Sequence, residues 1–133
     1  MAALGVHHVG IAVADLDAAI ATYQALFGAT VEHRERVEDQ GVEASSLEVA
    51  GSRIELLQPR GPDTPVGKFL AKRGPGMHHV AFECDDVAGE LERLRAEGVR
   101  LIDETPRLGL FGLQVAFVHP EATGGVLAEF VGR

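Results

Sequence analysis

The stretch that decides the fold is His7-His8-Val9-Gly10-Ile11-Ala12-Val13, because it returns as His78-His79-Val80-Ala81-Phe82-Glu83-Cys84. Acidic residues follow each copy, Asp15 and Asp17 in the first, Asp85 and Asp86 in the second. An amphipathic helical run and a glycine come next in both. A His-His pair opening an apolar strand is uncommon once. Twice in a chain of 133 residues it reads as an internal repeat. Strand side chains alternate with period 2. In the first copy His7, Val9, Ile11 and Val13 share a bulky apolar face, and His8 shares the other with Gly10 and Ala12. In the second, His78, Val80, Phe82 and Cys84 form the bulky face, and His79 lies beside Ala81. The bulky face packs under the helix that follows, and the small-residue face has room for a ligand. His8 and His79 are therefore the candidate functional pair.

Working outward, the first module reads as a strand over Val6–Val13, a helix capped by Asp15 or Asp17, and strands over Thr30–Val37, Val42–Val49 and Arg53–Gln58. Ile20, Tyr23, Leu26 and Phe27 mark the apolar stripe of the helix, and Gly28 stops it. Pro59–Gly76 is rich in Pro and Gly and reads as a linker with a short helical piece near Val66–Lys72. The cycle restarts with a strand over His78–Cys84 and a helix over Val87–Glu97, with Val87, Leu91 and Leu94 inward. Strands over Val99–Asp103, Gln114–His119 and Val126–Val131 complete the second module. The expected fold class is α+β. Two paired βαβββ modules, about 5–58 and 77–133, form a single domain with a curved sheet around a central metal cavity.

Composition narrows the function. A net charge of −8 argues against nucleic acid, whose affinity needs clustered Lys and Arg. The single cysteine, Cys84, rules out an intramolecular disulfide framework and points to a reducing, cytoplasmic setting. No run of about 18 apolar residues exists, so no membrane-spanning helix is expected. The start at Met1-Ala2-Ala3-Leu4-Gly5 lacks a basic leader region.

Each module ends in a strand that sets an acid among apolar residues, Ile54-Glu55-Leu56 and Ala128-Glu129-Phe130. A carboxylate between large apolar neighbours is costly to bury unless paired or bound to metal. An acid on an edge strand more often faces solvent, but the matching places in both modules argue otherwise. If the modules close around one cavity, His8, Glu55, His79 and Glu129 converge. Two imidazoles and two carboxylates suit a borderline divalent ion such as Co, Ni, Mn, Fe or Zn, whereas Mg or Ca prefers oxygen ligands alone.

The repeated βαβββ unit with one His and one Glu per half resembles the vicinal-oxygen-chelate superfamily, and within it the methylmalonyl-CoA epimerase family. The matching segments include His8-Val9-Gly10-Ile11-Ala12-Val13, Gln40-Gly41-Val42, Lys68-Phe69-Leu70-Ala71-Lys72-Arg73-Gly74, Gly76-Met77-His78-His79 and Gly124-Gly125-Val126-Leu127-Ala128-Glu129. The resemblance implies an open metal site, with cobalt as the first expectation, and an acyl-CoA substrate. It implies exchange of the 2R and 2S epimers by C2 proton transfer through a metal-stabilised enolate, and a homodimer. Glu129 would serve as both ligand and one base. Some family members carry a second Glu three residues after the Gly of Gln-Gly-Val, where this chain has Ala44. Glu48 shares Ala44's strand face and is the preferred second base, with Glu43, on the opposite face, as the other choice. The loop Arg107–Leu113 is expected to meet the substrate carboxylate through the backbone of Gly109, Phe111 and Gly112. Its Leu110 and Phe111 make it more apolar than the family pattern. Lys68, Lys72 and Arg73 form a basic cluster for CoA phosphates, or a solvated helix face. A glyoxalase-like lyase acting on a glutathione hemithioacetal and a non-enzymatic binding protein on the same fold are the alternative readings.

Overall fold

Asp15 sets where the first helix begins. Its carboxylate accepts from the Ala18 amide at 3.1 Å, satisfying a donor that the first helical turn leaves open. The helix, α1 (Leu16–Phe27), ends at Gly28, whose φ of 66° is the left-handed geometry that closes a helix. The computed structural model describes residues 3–133. Met1 and Ala2, which belong to the start read as leaderless, lie outside the described residues. Two compact units follow from the chain's contacts, residues 8–78 and residues 3–7 with 79–133.

The first unit holds β1 (Gly5–Ala12, from His8 onward), α1, β2 (Thr30–Val37), β3 (Val42–Val49), β4 (Ser52–Pro59) and helix α2 (Pro65–Arg73). Its strands run in the order β2-β3-β4-β1; β1 pairs parallel with β4, and the other pairs are antiparallel. Leu16 and Ile20 of α1 bury against Val13, Leu47 and Leu56, with Ile11, Ile54 and Val49 around them. Each such side chain contributes about 1.5–3 kcal/mol on leaving water. Leu26 and Phe27, expected on the inward stripe, are exposed instead. They fall in the last turn of α1, and Phe27 meets only the Tyr23 ring among the described ring contacts of the two, with centroids 5.7 Å apart. The segment read as a linker carries α2, capped by Thr64. Gly67 lies so close to the Gly61 carbonyl that no Cβ fits there.

The second unit contains β5 (Gly76–Glu83, from His79 onward), α3 (Val87–Ala96), β6 (Arg107–Leu108), β7 (Gln114–Val118), the short α4 (Pro120–Thr123) and β8 (Ala128–Gly132). Its strand order is β5-β8-β7-β6, with β5 parallel to β8. The Leu4 amide donates to the Glu83 carbonyl at 2.7 Å, so residues 3–7 join this unit. Val87 and Leu91 of α3 pack with Cys84 and Ala116. The strand expected over Val99–Asp103 is a single bridge, Leu101 to Val118. The Ile102 and Asp103 amides both donate to the Phe117 carbonyl, and the Asp103 carboxylate accepts from the Phe117 amide at 2.8 Å. That closed loop uses up the groups a ladder would need. The fourth strand is Arg107–Leu108, inside the segment read as loop. Each unit is thus a βαβββ module, as the repeat implies.

Candidate functional site

The face of the first sheet turned away from α1 carries the candidate ligands. Residues directly opposite one another across a sheet share a face. Gly10 of β1 stands beside Glu55 of β4, and His8 lies two residues before Gly10. His8 is 3% exposed and Glu55 7%, and His8 Nε2 is 3.3 Å from Glu55 Oε2. The second unit repeats this arrangement by itself. Ala81 of β5 stands beside Glu129 of β8, and His79 lies two residues before Ala81. His79 Nε2 is 3.4 Å from Glu129 Oε1, with exposures of 4% and 3%. In both units a Gly or Ala next to the acid makes room for the imidazole. The His79 ring also meets the Phe117 ring edge to face, with centroids 5.4 Å apart, which fixes its orientation. His7 and His78, on the opposite face, are only partly buried. The Phe69 ring lies against His78 and under the Arg73 guanidinium.

The donor spacing tests the fit to a metal. Charge-assisted hydrogen bonds run about 2.7–2.9 Å. Two ligands on one divalent ion, each about 2.1 Å from it, are about 3.0–3.4 Å apart. Both pairs fall in the second range. Both also bury a carboxylate that needs a compensating charge. Each pair therefore suits two positions in the shell of a divalent cation.

A polar network missing from the sequence reading lies beside Glu55. Ser46 is directly across from Glu55 and fully buried; its hydroxyl donates to Glu32 Oε1 at 2.8 Å. Arg53 donates to both Glu32 oxygens. Donating to Glu32 holds the Arg53 guanidinium pKa above its ordinary value, overcoming the opposing cost of burial. β2 looked like a plain polar strand, and nothing in its composition marks the β-bulge between Val31 and His33 that makes this network possible.

The remaining expected residues fall as follows. Ala44 is fully buried on the ligand-bearing face. Glu48 shares that face but is exposed, opposite Thr30 and Arg53. Glu43 lies on the α1 side, in an ion pair with Arg34 at 2.8 Å. In the 107–113 loop, Gly109 packs on Val115, where a Cβ would come within 2.7 Å of a methyl. Phe111 has a φ of 61°, a strained value for a bulky residue, and Gly112 follows at 70°. Lys68, Lys72 and Arg73 are exposed on α2. Burial, and next the charge of Glu90, push the Cys84 thiol pKa up, so Cys84 is a core residue rather than a nucleophile.

The model of the Glyoxalase/Bleomycin resistance protein/Dioxygenase superfamily matches residues 7–117. Over 124 residues the chain is 38% identical to the mitochondrial methylmalonyl-CoA epimerase of Dictyostelium discoideum, covering 92% of this chain and 75% of that one. The chain belongs to the methylmalonyl-CoA epimerase family within that superfamily. The crystal structure of the epimerase from Mycobacterium tuberculosis matches with a TM-score of 0.94 and 42% identity, covering 98% of this chain and 88% of that chain. A methylmalonyl-CoA epimerase in complex with methylmalonyl-CoA and NH4+ matches with a TM-score of 0.93 and 39% identity, covering 98% and 95%. Among the described residues no helix is long and apolar enough to cross a membrane.

Proposed function

We propose that this protein is a metal-dependent methylmalonyl-CoA epimerase, exchanging the 2R and 2S forms by moving the proton at C2. The observation that carries the reading is the buried His–Glu pair repeated at equivalent register, His8–Glu55 and His79–Glu129. These four side chains would hold one divalent cation. Cobalt is the preferred ion, though the same donors accept Mn, Ni, Zn or Fe, and availability decides. When bound, the cation supplies electrostatic stabilisation for negative charge that develops on the thioester oxygen.

The C2 proton sits between a thioester and a carboxylate and is too weakly acidic for an unaided side-chain base. Glu129, held among apolar neighbours, takes or returns that proton on one face of C2. The backbone at Gly109, Phe111 and Gly112 meets the acyl end, and Lys68, Lys72 and Arg73 meet the CoA phosphates. The family's naming and the methylmalonyl-CoA complex of a close structural match support the substrate. The reading extends to a homodimer, as the family resemblance implies, in the reducing cytoplasmic setting to which the single cysteine points. Incubating one pure epimer of methylmalonyl-CoA with cobalt-loaded protein should yield the mixed epimers. A starting epimer that persists unchanged would refute the proposal.

A further inference from the structure

Epimerisation needs a proton delivered to each face of C2, and Glu129 serves one. We infer that Glu35, oriented by His33, is the second general base; the inference rests on the epimerase reading above.

The bulge in β2 carries this assignment. Without it, Val31, His33 and Glu35 would all share a face. Val31 is instead opposite Leu47, on the side covered by α1, while His33 is opposite Ser46 and Glu35 opposite Ala44. The one-residue slip moves His33 and Glu35 to the face that carries His8 and Glu55. His33 then shares a row with Ser46, Glu55 and Gly10, and Glu35 shares the next with Ala44, Leu57 and Ala12. Two strand spacings, about 10 Å, separate the rows' ends on β2 and β4. Side chains reaching in from both sides and a short branched diacid fit that span. Ala44, fully buried and directly across from Glu35, offers only a methyl and so brings no competing acid to that row.

Besides Glu55, the other acids on this unit's strands are placed for different work. Glu32 is held by Ser46 and Arg53, and Glu43 pairs with Arg34 on the opposite face. Glu48 is exposed at the end of β3, opposite Arg53. His33 Nε2 lies 2.8 Å from Glu35 Oε1, which fixes the carboxylate. Both side chains are about a third exposed, at 37% and 34%, as a base that must meet a substrate and exchange protons with water requires.

The step balances. Starting from one epimer, the C2–H bond breaks, an O–H bond forms on Glu35, and the electron pair enters the enolate. The O–H bond of Glu129 then breaks and a C–H bond forms on the other face. Glu35 leaves protonated and Glu129 ionised, and exchange with water or reverse turnover resets both.

The test uses cobalt-loaded Glu35→Gln protein, each pure epimer of methylmalonyl-CoA, and heavy water. The expected result is a fall in interconversion of about 10²–10⁴-fold. Deuterium still enters one epimer, with its configuration retained, at close to the wild-type rate. Adding Ala44→Glu to Glu35→Gln should restore interconversion, since it puts a carboxylate directly across the strand. Interconversion within a few-fold of wild type in Glu35→Gln would overturn the inference. An equal loss of exchange from both epimers would overturn it too, since that reports a structural role. Wild-type protein that exchanges neither epimer would instead refute the epimerase reading, and this inference with it.

Discussion

Metal binding should appear as a large stabilisation that one ligand substitution removes. Cobalt at 100 times its dissociation constant adds about 2.7 kcal/mol to the folded state. An unfolding entropy of about 2.1 cal/mol/K per residue, over the 133 residues, gives about 0.28 kcal/mol/K. The predicted rise in Tm is therefore about 10 °C. His79→Asn keeps a polar group beside Glu129 and most of the contact with Phe117 but loses the imidazole ligand. Losing even a residue that only supports a ligand costs about 10–100-fold in metal affinity. A 100-fold loss leaves cobalt near its new dissociation constant, worth about 0.4 kcal/mol, or about 1–2 °C. Thermal unfolding of both proteins, with chelator and with cobalt, measures these shifts. Glu92→Gln, on an exposed position of α3, serves as control and should keep the full rise. A full cobalt-dependent rise in His79→Asn would refute the ligand assignment.

Three further outcomes follow from the packing. Leu56→Ala, at a fully buried position beneath α1, should cost about 2–5 kcal/mol in urea unfolding, and a loss under 1 kcal/mol would place the core elsewhere. Asp15→Ala removes the cap on the Ala18 amide and should cost about 1 kcal/mol by the same assay. Because burial raises the Cys84 thiol pKa, the unfolded chain ionises first; this stabilisation is complete below the ordinary thiol pKa of about 8.5 and is lost as pH rises toward the folded value. Stability measured from pH 7 to 10 should therefore fall more steeply in wild type than in Cys84→Ala, and parallel curves would contradict the buried-thiol account.

The sequence showed most of what positions the ligands. A period of 2 over His7–Val13 and His78–Cys84 separated His8 and His79 from their neighbours, and the structure buries both members of that pair. The acids Glu55 and Glu129 were marked by their apolar neighbours. Two features were hidden for physical reasons. Val99–Asp103 has strand composition, yet its amides and a side chain fold back on Phe117, a choice made by non-local hydrogen bonds. The bulge after Val31 reverses the faces of His33 and Glu35, and an extra residue in a ladder leaves no mark in a polar strand's composition. The last turn of α1 failed differently, because the stripe through Leu26 and Phe27 continues past what the core covers.

The most direct test of the central claim is proton–deuteron exchange at C2 of methylmalonyl-CoA in heavy water, with protein stripped of metal and then refilled with cobalt. The account predicts exchange that is lost on stripping and returns with the metal. Exchange that persists at full rate without metal, or that never appears with metal bound, would contradict it.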